Sequence, residues 1–229
     1  MKHRFITMLT LPAMLTIAAA AMPADDTTEE NNGPIWGLRA TFDVNIPGKY
    51  HVAGRSIKMF NSGYGGSIGA VCNLYLGNRF YFEPGVSLYY DTYKYEDLTI
   101  SAEPSDAPQV FDPGLYKFGV RVPLVAGYTI PLKNDMFLSV YTGPELNCSL
   151  RGEVRLSESD KQSLPDMPTS LFGDEWNFRR FDMAWKVGVA FPVWNVTVSI
   201  DAAIGVTDLM KGDIDFRENR CSVGVTYYW

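Results

Sequence analysis

Charged side chains in this sequence recur on one phase of segments that otherwise alternate apolar and polar, and that phase is the first feature with chemical content. Arg39, Asp43, Glu83, Lys117, Arg121, Glu145, Arg151, Lys186 and Asp201 all take the polar phase, so both signs share one face. An isolated buried charge is costly, so such groups must pair or change protonation state. Arg39, Glu83, Arg121, Glu145, Lys186 and Asp201 are therefore read as a structural polar network inside the fold. The functional alternative is a proton or ion path through the same residues. Catalytic chemistry has one candidate: with an N-terminal leader removed, His51 is the sole histidine, in PGKYHVAGRS, where Ser56 and a loop carboxylate would complete a nucleophile-base-acid set. A solvated loop histidine is the plainer account. Glu158, Asp160, Asp174 and Glu175 offer oxygens for calcium, but the stretches SESD and DEW lack the spaced Asp, Asn and Gly of a calcium loop. We therefore assign no catalytic, cofactor-binding or metal residue from the sequence.

The elements that would position these charges are strands. In FYFEPGVSLYYD the even positions Phe80, Phe82, Val86 and Leu88 are apolar, while the odd positions include Glu83, Ser87 and Asp91. LYKFGVRVPLVAGYTI and WNVTVSIDAAIGVT repeat the pattern. Eight such runs cover approximately 34–46, 64–76, 79–95, 115–130, 135–153, 181–193, 195–207 and 219–229. Most exceed the roughly 9–11 residues that a tilted strand needs to cross a bilayer. The joins at Gly77-Asn78, after Ile130 and at Trp194 are short, whereas 47–63, 96–114, 154–180 and 208–218 are long and polar or carry Gly and Pro. Strict alternation of long and short joins places both ends of an antiparallel sheet on the short-turn side, and an even strand number lets the sheet close without an open edge. The expected fold is all-β: one eight-stranded antiparallel up-and-down transmembrane barrel over residues 34–229, with short periplasmic turns and long extracellular loops. No later stretch reaches the ~20 apolar residues of a membrane-spanning helix.

A soluble ligand-carrying barrel has the same alternation with its faces reversed. Glycine placement decides between them. Gly37, Gly69, Gly85, Gly119, Gly127, Gly143, Gly188, Gly205 and Gly224 share the polar phase. Glycine weakens a strand, but the crowded interior of a small barrel needs small residues, so the polar face is the inside. Aromatic residues such as Trp36, Phe42, Phe80, Tyr90, Trp185 and Trp229 take the outward phase, many near strand ends, as interfacial girdles do. Lys2, His3 and Arg4 ahead of an apolar run ending in AAAAMPA read as a cleaved signal peptide over 1–24, followed by a disordered periplasmic lead over 25–33. The formal charge is −6 for the whole chain and becomes more acidic once Lys2 and Arg4 leave. That balance excludes nucleic acid as a partner class. Three cysteines, Cys72, Cys148 and Cys221, cannot form a full disulfide framework, and all take the apolar phase as small hydrophobes.

The strand motifs FEPGVSLYY (82–90), VRVPLVAGYTI (120–130), SVYTGPEL (139–146), DAAIGVTDLMKG (201–212) and the terminal VGVTYYW resemble those of the PorT-like outer-membrane β-barrel proteins of Gram-negative bacteria. The resemblance implies an integral outer-membrane barrel surrounded by outer-membrane lipid, and the residue reading above makes the expectation non-enzymatic and without cofactors. It also implies that Tyr227 and Trp229 act as the aromatic C-terminal signal recognised by the barrel-assembly machinery during insertion. Loops 47–63, 96–114 and 154–180 are the expected contacts for a surface or secretion-system partner, because binding concentrates in loops on a rigid scaffold. The longest of them sets Leu164, Leu171, Phe172 and Trp176 among charges, as a segment that folds over the mouth or meets a partner would. A structural or loop-mediated binding role is the leading expectation. A part in a secretion assembly, as for the family's namesake, and a lipid- or peptide-processing enzyme are the alternatives.

Overall fold

Valine, isoleucine and aromatic residues at every second position suit a pleated strand with one apolar face, and the chain uses eight of them. The computed structural model describes residues 33–48, 50–52, 55–57, 60–95, 98–100, 109–111, 114–133, 136–155, 169–172, 177–211 and 216–229. The barrel strands are β1 (Ile35–Pro47), β2 (Gly63–Gly77), β3 (Phe80–Tyr95), β4 (Gly114–Pro131), β5 (Phe137–Arg155), β6 (Phe181–Val193), β7 (Val196–Gly205) and β8 (Glu218–Tyr228). Each pairs antiparallel with its neighbour in sequence, and β1 closes on β8 from Gly37 opposite Tyr228 to Pro47 opposite Glu218. Both edges are thereby consumed. Two short hairpins, Tyr50–Val52 with Arg55–Ile57 and Leu98–Ile100 with Gln109–Phe111, lie in the long connections.

The tight turns sit at one end. Asn78 and Arg79 form the β2–β3 turn, one residue later than the sequence indicated, because Gly77 pairs with Phe80 past a register shift and the three residues 77–79 all adopt positive φ (91°, 50° and 70°). Two successive left-handed residues match the twist of a two-residue hairpin. Trp194, at φ 57°, makes the equivalent turn between β6 and β7.

The faces are sorted. Leu38, Ile68, Val86, Leu88, Ile200 and Val223 point outward, with half or more of their surface exposed. Aromatic pairs bound this band: Phe42 with Tyr64 and Tyr90 with Tyr116 towards the long connections, and Phe80 with Tyr128 and Tyr227 with Trp229 towards the tight turns. Trp185 lies within the band and donates its indole N–H to Thr142 at 2.8 Å, so the polar edge of the ring is satisfied on the apolar surface. Cys72, Cys148 and Cys221 are free thiols.

Candidate functional site

The bore is filled in three tiers, and the tiers differ in chemistry. At the long-loop end, Tyr93, Leu115 and Val154 from the strand ends pack with Leu171, Phe178, Leu209 and Phe216 from the connecting segments, with Phe172 and Met210 against them. Backbone hydrogen bonds anchor this apolar cap to the rim: Val154 N to Thr169 O at 2.8 Å, Leu171 N to Gly152 O at 3.0 Å and Arg179 N to Leu209 O at 2.7 Å. The Arg180 guanidinium lies 4.5 Å from the Phe172 ring centroid. Leu171 is completely enclosed. Beneath the cap, Tyr93 Oη and Lys117 Nζ each donate to one oxygen of Glu218.

The middle tier is a continuous chain of alternating charge. Arg121 donates to Asp91 and, at 2.6 Å, to Asp43. Arg220 lies 3.9 Å from Asp43 and donates to Glu145 at 2.5 Å. Lys186 stands between Glu145 at 3.7 Å and Asp201 at 3.1 Å, and Tyr141 donates its hydroxyl to Asp201 at 3.0 Å. Asp91, Arg121, Asp43, Arg220, Glu145, Lys186 and Asp201 thus form one series drawn from every strand but β2, and all seven are buried. The Arg121–Asp43 and Arg220–Glu145 pairs cross the bore between strands three positions apart in the ring. Tyr89 supports the series: the Arg121 guanidinium lies 4.1 Å from its ring, and its hydroxyl bonds Ser149 at 2.7 Å.

Towards the tight turns, Arg39 donates to Glu83 and to Thr226, both at 2.7 Å, and Tyr228 donates its hydroxyl to the second Glu83 oxygen. Below this triad the bore opens into a cavity of about 450 Å³. Short turns face the periplasm in outer-membrane barrels, so this mouth is the periplasmic one.

Of the six residues read as a polar network, Glu145, Lys186, Asp201 and Arg121 sit in the central series, whereas Arg39 and Glu83 form the separate pair below it. Five further participants belong with them: Asp43 and Lys117, which were on the correct phase, and Asp91, Arg220 and Glu218, which share the inward phase of their own strands. Arg151 is a correction. A bulge between Ser149 and Arg151 inserts one residue into β5 and reverses its phase, so Arg151 faces outward with 67% of its side chain exposed and bonds Glu153. Tyr227 and Trp229 stack on the outer face, and Trp229 N donates to Trp36 O at 3.0 Å.

His51 and Ser56 face each other in the register of the first loop hairpin, but their side chains lie outside the described residues. Glu158, Asp160, Asp174 and Glu175 also lie outside them, as do the leader over 1–24 and the lead up to residue 32. Among the described residues, no three His, Cys, Asp or Glu side chains converge on a metal-sized site.

The family model for the outer membrane protein beta-barrel domain matches residues 35–211, most of the barrel. The chain belongs to that family. It is an eight-stranded barrel of the Gram-negative outer membrane, with apolar residues against lipid and polar ones inside. None of the curated proteins matches it. Among solved structures it is similar to Neisserial surface protein A, at 18% identity over 86% of this chain and 99% of that one, with a TM-score of 0.47. It is also similar to Ail, the attachment invasion locus protein of Yersinia pestis, in complex with the heparin analogue sucrose octasulfate, at 13% identity over 86% and 99% with a TM-score of 0.41. A third is the outer membrane protein OprG from Pseudomonas aeruginosa, at 7% identity over 86% and 96% with a TM-score of 0.40.

Proposed function

We propose that this family member is a non-enzymatic outer-membrane barrel that acts through its extracellular connections as a structural or binding element of the cell surface. One observation carries the reading: the bore is obstructed by the buried charge series and sealed above it by the Leu171 cap. A conducting pore needs a continuous water path, and among the described residues the charge series and the cap leave none through the bore. The partners that fit are outer-membrane lipid around the belt, the barrel-assembly machinery reading Tyr227 and Trp229, and a surface protein meeting loops 47–63, 96–114 and 154–180. A part in a secretion assembly is the alternative reading, and the motif resemblance to PorT-like barrels is what supports it.

Planar-bilayer recording and mild-detergent co-purification test the proposal together. No steady single-channel current is expected, and external protease is expected to cut only the long connections. A large persistent current would overturn the sealed-bore reading. Stoichiometric co-purification with periplasmic or membrane subunits would select the secretion assembly, whereas a lone barrel would leave the surface role.

A further inference from the structure

The periplasmic mouth is built differently from the sealed extracellular one. Three large side chains that would ordinarily fill it are held against the wall instead, each opposite a glycine in the register of the adjacent strand: Tyr81 opposite Gly127, Tyr141 opposite Gly188 and Tyr228 opposite Gly37. The geometry is tight. A Cβ at Gly37 would lie 2.8 Å from Tyr228 Cδ1, one at Gly188 would lie 2.5 Å from Tyr141 Cζ, and one at Gly127 would fall within the Tyr81 ring contacts. Because the rings occupy the space that side chains on those neighbours would take, the centre of the mouth stays empty. The resulting cavity of about 450 Å³ falls within the range of roughly 300–1,000 Å³ common to small-molecule sites.

Its lining restricts what can enter. The charged side chains present are Arg39 and Glu83, and each is the other's partner, so no side chain of the wall offers an unmatched charge to an ionic ligand. The remaining polar lining is hydroxyl and amide, from Asn73, Ser139 and Thr197 among others, set beside the phenol rings. Aromatic surface next to donors and acceptors without net charge suits a ligand with apolar C–H faces and many hydroxyls. We infer that the periplasmic vestibule is a binding site for a neutral saccharide chain presented from the periplasm.

The test uses the folded protein in an amine-oxide detergent, which has no sugar headgroup, with tri-N-acetylchitotriose as probe. Saturation-transfer NMR and tryptophan fluorescence are the readouts. Saturable binding is expected. Asn73→Trp, which fills the lip, should weaken it by at least tenfold, as should Tyr81→Ala, with heat-modifiable gel mobility reporting that each barrel is intact. If Tyr81→Ala fails to fold, Asn73→Trp alone decides. No saturable signal up to ~10 mM, or equal binding by the wild-type and Asn73→Trp proteins, would overturn the assignment. Tighter binding of a sulfated disaccharide than of the neutral probe would overturn the choice of a neutral ligand.

Discussion

Replacing Arg121 by Met is the sharpest perturbation of the central series. Among the described residues Arg121 is the one ion-pair partner of Asp91 and the nearer of two for Asp43, whose other cation, Arg220, is 3.9 Å away. Methionine keeps much of the side-chain length and removes the charge, leaving two enclosed carboxylates with little compensation. Stranding one partner of a buried pair typically costs about 3–5 kcal/mol, and loss of the contact with Tyr89 at 4.1 Å removes up to about 2 kcal/mol more in a desolvated site. A loss of about 4–6 kcal/mol is expected. With a urea slope of roughly 2–3 kcal/mol per molar, the unfolding midpoint in lipid vesicles should fall by about 1.5–3 M, followed by tryptophan fluorescence and gel mobility. The second half of the test is a rescue. Adding Asp43→Asn and Asp91→Asn to Arg121→Met neutralises the stranded groups and should recover more than half of the loss. A single-variant loss below about 1 kcal/mol, or no recovery in the triple variant, would refute the claim that the series is held by mutual compensation.

Other expectations follow from individual contacts. Gly127→Ala should lower barrel stability by about 1–3 kcal/mol through overpacking against Tyr81, and Tyr81→Ala in the same chain should restore part of it, as read from urea titrations. Leu171→Ala should cost about 2–5 kcal/mol within the cap; the readout is faster external proteolysis of the connections with unchanged heat-modifiable mobility of the barrel. Arg79→Gly should stabilise the β2–β3 hairpin by about 1 kcal/mol, because a non-glycine residue there holds φ at 70°. Arg151→Ala, on the exposed outer face, should change stability by less than about 0.5 kcal/mol, in contrast to any buried member of the series.

Strand number, sidedness and connection pattern were legible because a two-residue period assigns every side chain of a regular strand to a face. Legibility ended where regularity did. The bulge after Ser149 carried Arg151 outside, and Gly77 shifted the hairpin turn by one residue. Glu218 was missed because it is the first residue of β8, one position before the strand inferred from the pattern, and Arg220 because it sits beside small residues on a strand whose polar phase carries mostly Ser, Gly and Thr. The pairings themselves were beyond the pattern. Asp43 reaches Arg121 across the bore, and such a contact depends on the stagger of all eight strands, which no single segment encodes. The vestibule is hidden for the same reason: each glycine and its tyrosine are separated in sequence and meet only through register.

The charge series also divides the chain. Asp91, Arg121 and Asp43 all come from β1 to β4, while Arg220, Glu145, Lys186 and Asp201 all come from β5 to β8, and the two groups meet at the Asp43–Arg220 contact of 3.9 Å on the closing strands. Each half therefore neutralises most of its own interior before the other arrives. A barrel cut at the β4–β5 turn would yield two four-stranded pieces with largely matched interiors, suited to recombining as separate polypeptides. Side-chain links across the cut, among them Asp43 with Arg220, Lys117 and Tyr93 with Glu218, Tyr228 with Glu83, Arg39 with Thr226 and Tyr89 with Ser149, would set the fidelity of that reunion.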